Sequence, residues 1–193
     1  MKIGVAGITT SGKSTLADAL KKKFEAVHIT SDDFYFQENF RKTILRGKEV
    51  NDWDTPDGIN WNEFESYCEK IKGDLVFIDS FLLFYSEKIE NMLDAVIVIE
   101  YDESEFEIAL QRRTSRLYNV NFPKDFDENP EKSEIHFECA YFKDIAWNGA
   151  LRHPEYRYTK RNIPILKLRA TASIEENIAR AEEFIKKHIT QTH

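Results

Sequence analysis

The sequence predicts a three-layer α/β fold, in which helices flank a central parallel sheet on both faces. Short apolar segments alternate with amphipathic ones along the chain, which is typical of repeated strand–helix–strand units. The apolar segments are nearly continuous runs, as expected for strands that are covered on both faces. A length of 193 residues suits one sizeable core. We therefore expect a single domain over residues 1–193.

Five segments are predicted to be the strands of this sheet: KIGVAG, AVHITS, DLVFIDSF, DAVIVIEY and IPILKL. Between the first two, STLADALKKKF repeats Leu16, Leu20 and Phe24 at helical spacing and is predicted to be a crossover helix. After the last strand, SIEENIARAEEFIKKH opens with Ser173 and Glu176 in the pattern of a capping box. Its apolar stripe predicts a closing helix that docks on the sheet.

Two regions interrupt the alternation of strands and helices. The first covers roughly residues 37–62, and the second covers roughly residues 112–132 and is rich in Pro, Asp and Asn towards its end. Long insertions in compact domains often form functional loops or lids. We expect the first insert to shape a binding site and the second to act as a lid segment.

Composition and charge exclude several classes of protein. The net charge of -7 argues against a broad basic face for nucleic acid, so any anion site must be local. No apolar run approaches the ~20 residues of a membrane span, and the run near Met1 is too short for a secretion signal. We therefore expect a cytoplasmic protein in which Cys68 and Cys139 are free thiols. The histidines, His28 among them, show no metal-site spacing and are taken as ordinary surface or core residues.

The segment GITTSGKST matches the phosphate-loop pattern G-x-x-x-x-G-K-[ST] and lies between a predicted strand and a predicted helix. Gly7 and Gly12 allow the backbone amides to turn towards an anion at the start of the helix. Lys13 is expected to contact the β- and γ-phosphates, and the Ser14 hydroxyl to bind Mg²⁺. The motif predicts a P-loop NTPase fold that binds ATP, with a phosphate-binding set that also includes Thr9, Thr10, Ser11 and Thr15.

The strand DLVFIDSF ends at Asp79, in the arrangement of a Walker B motif. A carboxylate at this position can hold Mg²⁺ directly or through water. The alternative is an aspartate that closes a turn at the end of a strand.

A phosphate loop alone does not distinguish kinases from GTPase switches or motor ATPases. The guanine-binding pattern N-K-x-D is absent, and the chain is small for a motor subunit. A kinase needs an acceptor pocket, a group that orients the attacking hydroxyl, and a lid that excludes water. Candidates are Asp32 in TSDDFYF, Trp53 and Asp54 in NDWDTPDGINW, and the arginines of QRRTSRLY, although a basic helix end also suits the helix dipole.

These motifs together resemble the nicotinamide riboside kinase branch of the uridine kinase-like P-loop kinases. The resemblance rests on GITTSGKSTLA, SDDFYF, WDTPDGIN, IDSFLLF and QRRTSRLY, and it runs from Met1 to about Tyr118. It implies that Asp32 orients and deprotonates the 5′-hydroxyl of a nucleoside, while Asp33 supports the turn. Asp79 and Ser80 stand where the family commonly has glutamate and glycine.

The resemblance also implies the remaining site residues. Asp54 and Arg113 match positions that hold the ribose hydroxyls, while Trp53 and Tyr118 match the aromatic positions on either side of the base. Arg116 matches a lid arginine that faces the transferred phosphoryl group. Lys13 and Arg116 join Asp32 as expected catalytic residues, and we expect Arg112 to bind ATP phosphate.

We therefore expect an ATP-dependent, Mg²⁺-requiring kinase that converts nicotinamide riboside into nicotinamide mononucleotide in NAD salvage. The expected partners are ATP and a ribonucleoside, with no nucleic acid and no membrane. Two alternatives remain open: a uridine/cytidine kinase of pyrimidine salvage, and a nucleotide-sensing P-loop protein that transfers nothing.

Overall fold

A five-stranded parallel sheet forms the centre of the fold, seen in a computed structural model that describes residues 1–36, 38, 41–156 and 158–189. The strands in chain order are β1 (Lys2–Gly7), β2 (Val27–Thr30), β3 (Lys42–Leu45), β4 (Lys48–Asn51), β5 (Val76–Ser80), β6 (Ala95–Glu100) and β7 (Ile165–Arg169). The sheet order is β2-β5-β1-β6-β7, and every neighbouring pair is parallel. All five predicted sheet strands are thereby confirmed.

Helices cover both faces of this sheet. They are α1 (Lys13–Phe24), α2 (Trp61–Lys70), α3 (Glu87–Met92), α4 (Phe106–Tyr118), α5 (Glu134–Tyr141), α6 (Asn148–Arg152) and α7 (Ile174–Ile189), with a π-helical segment (Phe142–Trp147) that joins α5 to α6. None of the helices in the described part of the chain is long and apolar enough to cross a membrane.

Alternate residues of the central strands β1, β5 and β6 pack into two different cores. Ile3 and Val5 of β1 lie in the core under α1 and α7, whereas Ala6 lies in the core under α2 and α3. Phe77 and Ile78 of β5 divide between the two cores in the same way. Because both faces are buried, these strands need apolar residues at successive positions, which explains the nearly continuous apolar runs.

The predicted first and last helices are confirmed. Leu16 and Leu20 of α1 are fully buried in the same core as Ala181 and Ile185 of α7. At the start of α7, the amide of Glu176 donates to the hydroxyl of Ser173 at 3.1 Å. This bond satisfies one of the amides that a helix start leaves without an intrahelical partner, as the capping box predicts.

The first insert contains an antiparallel hairpin, β3–β4, that the sequence pattern does not predict. Its two-residue turn has positive φ at both Arg46 (49°) and Gly47 (88°). Both φ values fit a type I′ turn, whose twist suits a hairpin but which usually carries Asn or Asp before the glycine. Because Arg46 stands at the position where Asn or Asp is usual, the sequence carries no recognisable signal for this hairpin turn. Residues 37, 39 and 40 of this insert lie outside the described residues.

A third core joins the hairpin to α4, to α5 and to the π-helical segment. Leu45 of β3 packs in one cluster with Leu110 of α4, Tyr141 of α5, and Phe142 and Trp147 of the π-helical segment. The predicted lid, residues 112–132, begins within α4 and ends just before α5. Phe126 of the second insert lies in the same cluster as Leu45, so both inserts pack on one apolar core.

Cys68 and Cys139 are free and buried, as predicted. Burial raises the pKa of the Cys68 thiol to about 12 and that of the Cys139 thiol to about 11. Both side chains are therefore protonated at neutral pH and act as small apolar core residues.

Candidate active site

The phosphate loop lies between β1 and α1 at the carboxyl edge of the sheet. Its backbone is left-handed at Thr10 (φ 68°) and Gly12 (φ 92°). At Gly7, an added Cβ would lie 2.5 Å from the Ser11 Oγ and 2.8 Å from the backbone oxygen of Ile99. The glycines are therefore needed for a tightly curled loop, as the motif predicts.

Several polar groups of this loop suit a phosphate ligand. The hydroxyls of Thr10 and Ser11 are buried and have no hydrogen-bond partner among the described residues. Lys13, the first residue of α1, is also buried. Hydroxyl and ammonium donors beside the start of a helix match the charge and the acceptor oxygens of a triphosphate.

Asp79 lies at the centre of the sheet edge, in register with Val5 of β1 and Thr30 of β2. Its side chain is fully buried. One oxygen, Oδ1, lies 4.0 Å from the Lys13 Nζ and has no hydrogen-bond partner among the described residues. A buried carboxylate oxygen with a single cation nearby is chemically suited to bind a metal ion.

His28 contacts the other oxygen of this carboxylate. Its Nε2 lies 3.4 Å from the Asp79 Oδ2, and its Nδ1 lies 2.9 Å from the Asp18 Oδ1. Burial lowers the pKa of His28, but the hydrogen bonds to Asp79 and Asp18 outweigh burial and raise the pKa above its ordinary value. His28 shows no metal-site spacing in the sequence, because only the pairing of β2 with β5 brings it to Asp79.

The available oxygen donors fit Mg²⁺. Asp79 supplies a carboxylate, and Ser14, in the first turn of α1, supplies a hydroxyl. In the described part of the chain, no cluster of three or more His, Cys, Asp or Glu side chains could hold a metal ion. A donor set this small suits Mg²⁺, which keeps several waters and shares its coordination with substrate phosphates.

Asp32 is presented by a 3₁₀ turn, Ser31–Phe34, directly after β2. The amide of Asp32 donates to the Thr30 hydroxyl at 3.3 Å, and the buried Ser31 hydroxyl donates to the Ser80 hydroxyl at 2.9 Å. The second bond ties the turn to the end of β5. Ser80, one of the departures from the family pattern, thereby helps to hold the turn that carries Asp32.

Partial burial and neighbouring charges both act on the Asp32 carboxylate. Partial burial raises the pKa of Asp32, and the charge of Lys13 opposes this effect most strongly. Asp79 raises the pKa further, and Arg116 lowers it. Lys13, Asp79 and Arg116 therefore all lie close enough to Asp32 for their charges to act on its carboxylate.

Asp54 is held by Tyr141 of α5. The Tyr141 hydroxyl donates to the Asp54 Oδ2 at 3.1 Å and accepts from the amide of Trp53 at 2.9 Å. Burial raises the pKa of Asp54 to about 6, while the charge of Arg113 and the bond from Tyr141 oppose this rise. Asp54 thus titrates much closer to neutral pH than an ordinary aspartate.

Tyr35 lies between Asp32 and the Trp53–Asp54 pair. Its hydroxyl donates to the backbone oxygen of Trp53 at 2.9 Å, and its ring centre lies 5.9 Å from that of Trp53. Burial raises the pKa of Tyr35, and the charges of Asp54 and Asp32 raise it further. Tyr35 therefore stays protonated and connects the turn of Asp32 to the acceptor insert.

Three of the five predicted substrate-binding residues, Trp53, Asp54 and Arg113, line two cavities, whereas Asp32 and Tyr118 line neither of the two. The larger, of about 540 Å³, is lined by Thr9 and Asp54, and by Leu82 after β5. The smaller, of about 440 Å³, is lined by Trp53 and Arg113. Either cavity has the size of a small-molecule site.

The three arginines of QRRTSRLY have different surroundings. Arg113 donates to Glu138 at 2.7 Å and to the Thr9 hydroxyl at 3.2 Å. Burial lowers the pKa of Arg116, as does the neighbouring Arg113, whereas Asp32 raises it. Arg113 thus lies at the acceptor cavities and Arg116 lies near Asp32.

Arg112 lies apart from the other two arginines, on the β7 side of the phosphate loop. It donates to the backbone oxygen of Ala170 at 2.8 Å and to the Tyr101 hydroxyl at 3.1 Å. It also lines a cavity of about 250 Å³ together with Thr10, Ser11, Gly12, Thr15, Ala172 and Asn177. This cavity borders the phosphate loop and is a candidate site for the nucleoside part of ATP.

Tyr118 is the last residue of α4. Burial raises the pKa of Tyr118, and the charge of Glu138 raises it further, so the ring lies near the Arg113–Glu138 ion pair. The ring of Trp53 lies against Tyr35. A base held between Trp53 and Tyr118 stays a prediction.

Besides His28, the site includes Tyr35, Glu138 and Tyr141, which the sequence motifs did not assign to it. Tyr35 lies inside the quoted motif SDDFYF, so a local signal for it was present. Glu138 and Tyr141 lie beyond the end of the family resemblance near Tyr118 and about 85 positions from Asp54, and no pattern in the sequence marks them.

Comparison with known proteins supports the family resemblance. No protein-family model matches the chain. A nicotinamide riboside kinase of Schizosaccharomyces pombe is 21% identical over 188 residues, which cover 76% of each chain. A uridine-cytidine kinase B of Dictyostelium discoideum is 26% identical over 145 residues, with 59% of this chain and 57% of that protein covered. The resemblance to uridine kinase-like P-loop kinases is thereby confirmed.

Solved structures confirm the fold class. A gluconokinase from Sinorhizobium meliloti 1021 aligns with a TM-score of 0.59 at 14% identity and covers 99% of this chain and 94% of its own. A sugar kinase from Janibacter sp. HTCC2649 aligns with a TM-score of 0.56 at 14% identity, covering 96% of this chain and 94% of its own. The chain therefore has the P-loop NTPase fold, and the two comparisons together support a kinase.

Proposed function

We propose that this chain is an ATP-dependent nucleoside kinase that phosphorylates the 5′-hydroxyl of nicotinamide riboside and gives nicotinamide mononucleotide for NAD salvage. One observation carries this proposal: Asp32, Lys13, Asp79 and Arg116 meet at the carboxyl edge of the sheet, beside cavities lined by Asp54 and Arg113. The first group is suited to phosphoryl transfer, and the second to binding a ribose.

The donor side of the reaction follows from the phosphate loop. Its amides, its hydroxyls and Lys13 would hold the triphosphate, and Ser14 and Asp79 would hold Mg²⁺, which would neutralise phosphate charge. Arg116 approaches the transferred group from α4. Phosphoryl transfer depends mainly on positioning and electrostatic stabilisation, and these residues supply both.

Asp32 acts on the acceptor hydroxyl. The 5′-oxygen forms a bond to the γ-phosphorus as the bond from that phosphorus to the β,γ-bridging oxygen breaks, and ADP leaves. The hydroxyl proton passes to the Asp32 carboxylate. Because the pKa of Asp32 is raised by partial burial, it is a better proton acceptor than an ordinary aspartate.

Asp54 and Arg113 bind the ribose hydroxyls, with Trp53 and Tyr118 beside the base. A carboxylate and an indole ring both favour a cationic pyridinium, through charge attraction and cation–π contact. A uridine/cytidine kinase is the second candidate, because the relatives include a uridine-cytidine kinase and because Lys42 and Asn51 line the same cavity as Trp53 and offer polar groups for a pyrimidine edge.

The test is ADP release from ATP and Mg²⁺ with nicotinamide riboside, uridine, cytidine or no nucleoside, each beside Asp32→Ala. We expect turnover to be fastest with nicotinamide riboside and to be lost in the variant. Turnover with uridine or cytidine alone would show that the protein is a uridine/cytidine kinase of pyrimidine salvage. ATP binding without acceptor-dependent turnover would indicate a nucleotide sensor and refute the kinase.

A further inference from the structure

Two side chains of helix α5 contact the residues that the proposed function assigns to ribose binding. Glu138 and Tyr141 are three positions apart and therefore lie on one face of the helix. Glu138 accepts from Arg113 at 2.7 Å, and Tyr141 donates to Asp54 at 3.1 Å. Each of the two ribose-binding candidates thus has one partner on α5.

The contact of Tyr141 reaches beyond a single carboxylate. Its hydroxyl also accepts from the amide of Trp53 at 2.9 Å, so one oxygen holds both the backbone and the carboxylate of the Trp53–Asp54 turn. A hydroxyl can donate one hydrogen bond and accept others, so both bonds can exist together.

The position of the hydroxyl is determined by the core. The Tyr141 side chain is only 6% exposed and packs with Leu45, Phe142 and Trp147 in the third core. A ring fixed in this way loses little side-chain freedom when it bonds to Asp54, so it can orient the carboxylate effectively. Asp54 itself is half-buried, and the amide of Asp54 donates to Asp52 within the same turn at 3.2 Å.

We propose that Tyr141 is a positioning residue for the acceptor nucleoside, which holds Asp54 and the Trp53 backbone in the geometry that receives the ribose. Glu138 does the same for Arg113 from the same helix face. Helix α5 is then the support of the acceptor site, although it does not belong to either predicted insert. This inference rests on the proposed function, because it assumes that Asp54 and Arg113 contact the acceptor.

The experiment is a double-mutant cycle with Tyr141→Phe and Asp54→Ala, assayed with nicotinamide riboside and ATP. Phenylalanine keeps the buried ring and removes both hydrogen bonds of the hydroxyl. A hydrogen bond to a charged group contributes enough that we expect KM for the nucleoside to rise about tenfold or more, while kcat falls less and KM for ATP stays within about twofold. In the Asp54→Ala background, Tyr141→Phe should change the nucleoside KM by less than about twofold.

Tyr158→Phe is the matched control, because the Tyr158 hydroxyl also donates to a carboxylate, that of Glu100, and neither residue lines an acceptor cavity. It should leave the nucleoside KM unchanged. Direct calorimetric binding of nicotinamide riboside to each variant gives a second readout, and the thermal midpoint of each variant checks its folding.

The outcomes separate the two proposals. If Asp54→Ala raises the nucleoside KM and Tyr141→Phe does not, the positioning role of Tyr141 is refuted and the acceptor site stands. The role is equally refuted if Tyr141→Phe has its full effect in the Asp54→Ala background. If Asp54→Ala leaves both the nucleoside KM and nucleoside binding unchanged, the acceptor assignment of the proposed function fails.

Discussion

Replacing Asp32 with asparagine should separate catalysis from stability in this protein. The change keeps the size and shape of the side chain and removes its charge. We expect kcat to fall at least about 10²-fold, the lower range for loss of a general base, which corresponds to about 2.7 kcal/mol of lost transition-state stabilisation. ATP binding should be retained, because Lys13 and the phosphate loop are unchanged.

The expected effect on stability has the opposite sign. Partial burial raises the pKa of Asp32, so above the unfolded pKa the ionised carboxylate is less favourable in the folded chain than in the unfolded chain. Removing the charge should therefore leave the thermal midpoint at neutral pH unchanged or slightly higher. The gain is small because the side chain remains accessible to solvent.

The assay combines ADP release under saturating Mg²⁺–ATP with a thermal melt of each variant. Asp33→Asn is the matched control, because Asp33 is the neighbouring carboxylate of the same 3₁₀ turn and is also exposed. It should keep turnover within about tenfold of the unmodified chain. Turnover of Asp32→Asn within about tenfold, or a large drop in its thermal midpoint together with lost ATP binding, would refute the reasoning.

Three further results are expected. Asp79→Asn should raise the Mg²⁺ concentration needed for half-maximal turnover, measured by magnesium titration; an unchanged titration would remove Asp79 from the metal site. Phe64→Ala should lower the free energy of unfolding by about 3–5 kcal/mol in denaturant melts, because Phe64 is fully buried and packs at 5.1 Å against Phe34 of the turn that carries Asp32. Asp54, with a pKa of about 6, loses its charge as the pH falls through that value, so the nucleoside KM should rise below about pH 6. A pH profile that is identical in Asp54→Asn would contradict this last prediction.

Local patterns in the sequence predicted the central sheet and the phosphate loop. The strands are recognisable as short, nearly continuous apolar runs, because they are buried on both faces. The loop is recognisable because it needs glycines at positions where backbone geometry excludes other residues. The cap of α7 by Ser173 is a local feature of the same kind. Each was predicted because its physical cause acts within a few residues.

The hairpin and the side chains that hold the site residues in place had no such local signal in the sequence. The β3–β4 hairpin turns at Arg46, which is not a usual residue for a type I′ turn. His28 gains its contact with Asp79 only through the pairing of β2 with β5. Tyr141 reaches Asp54 across 87 positions.

The sequence by itself therefore determined the fold class, the phosphate loop and the identity of the chemical groups at the sheet edge. Only the tertiary structure decided which side chains hold those groups in place. The reason is physical: a strand pattern or a glycine turn is specified by neighbouring residues, whereas a hydrogen bond between distant side chains depends on the packing of whole elements. For this protein, the turn after β2 was predicted to present Asp32, and the packing of α5 against the hairpin places Tyr141 on Asp54.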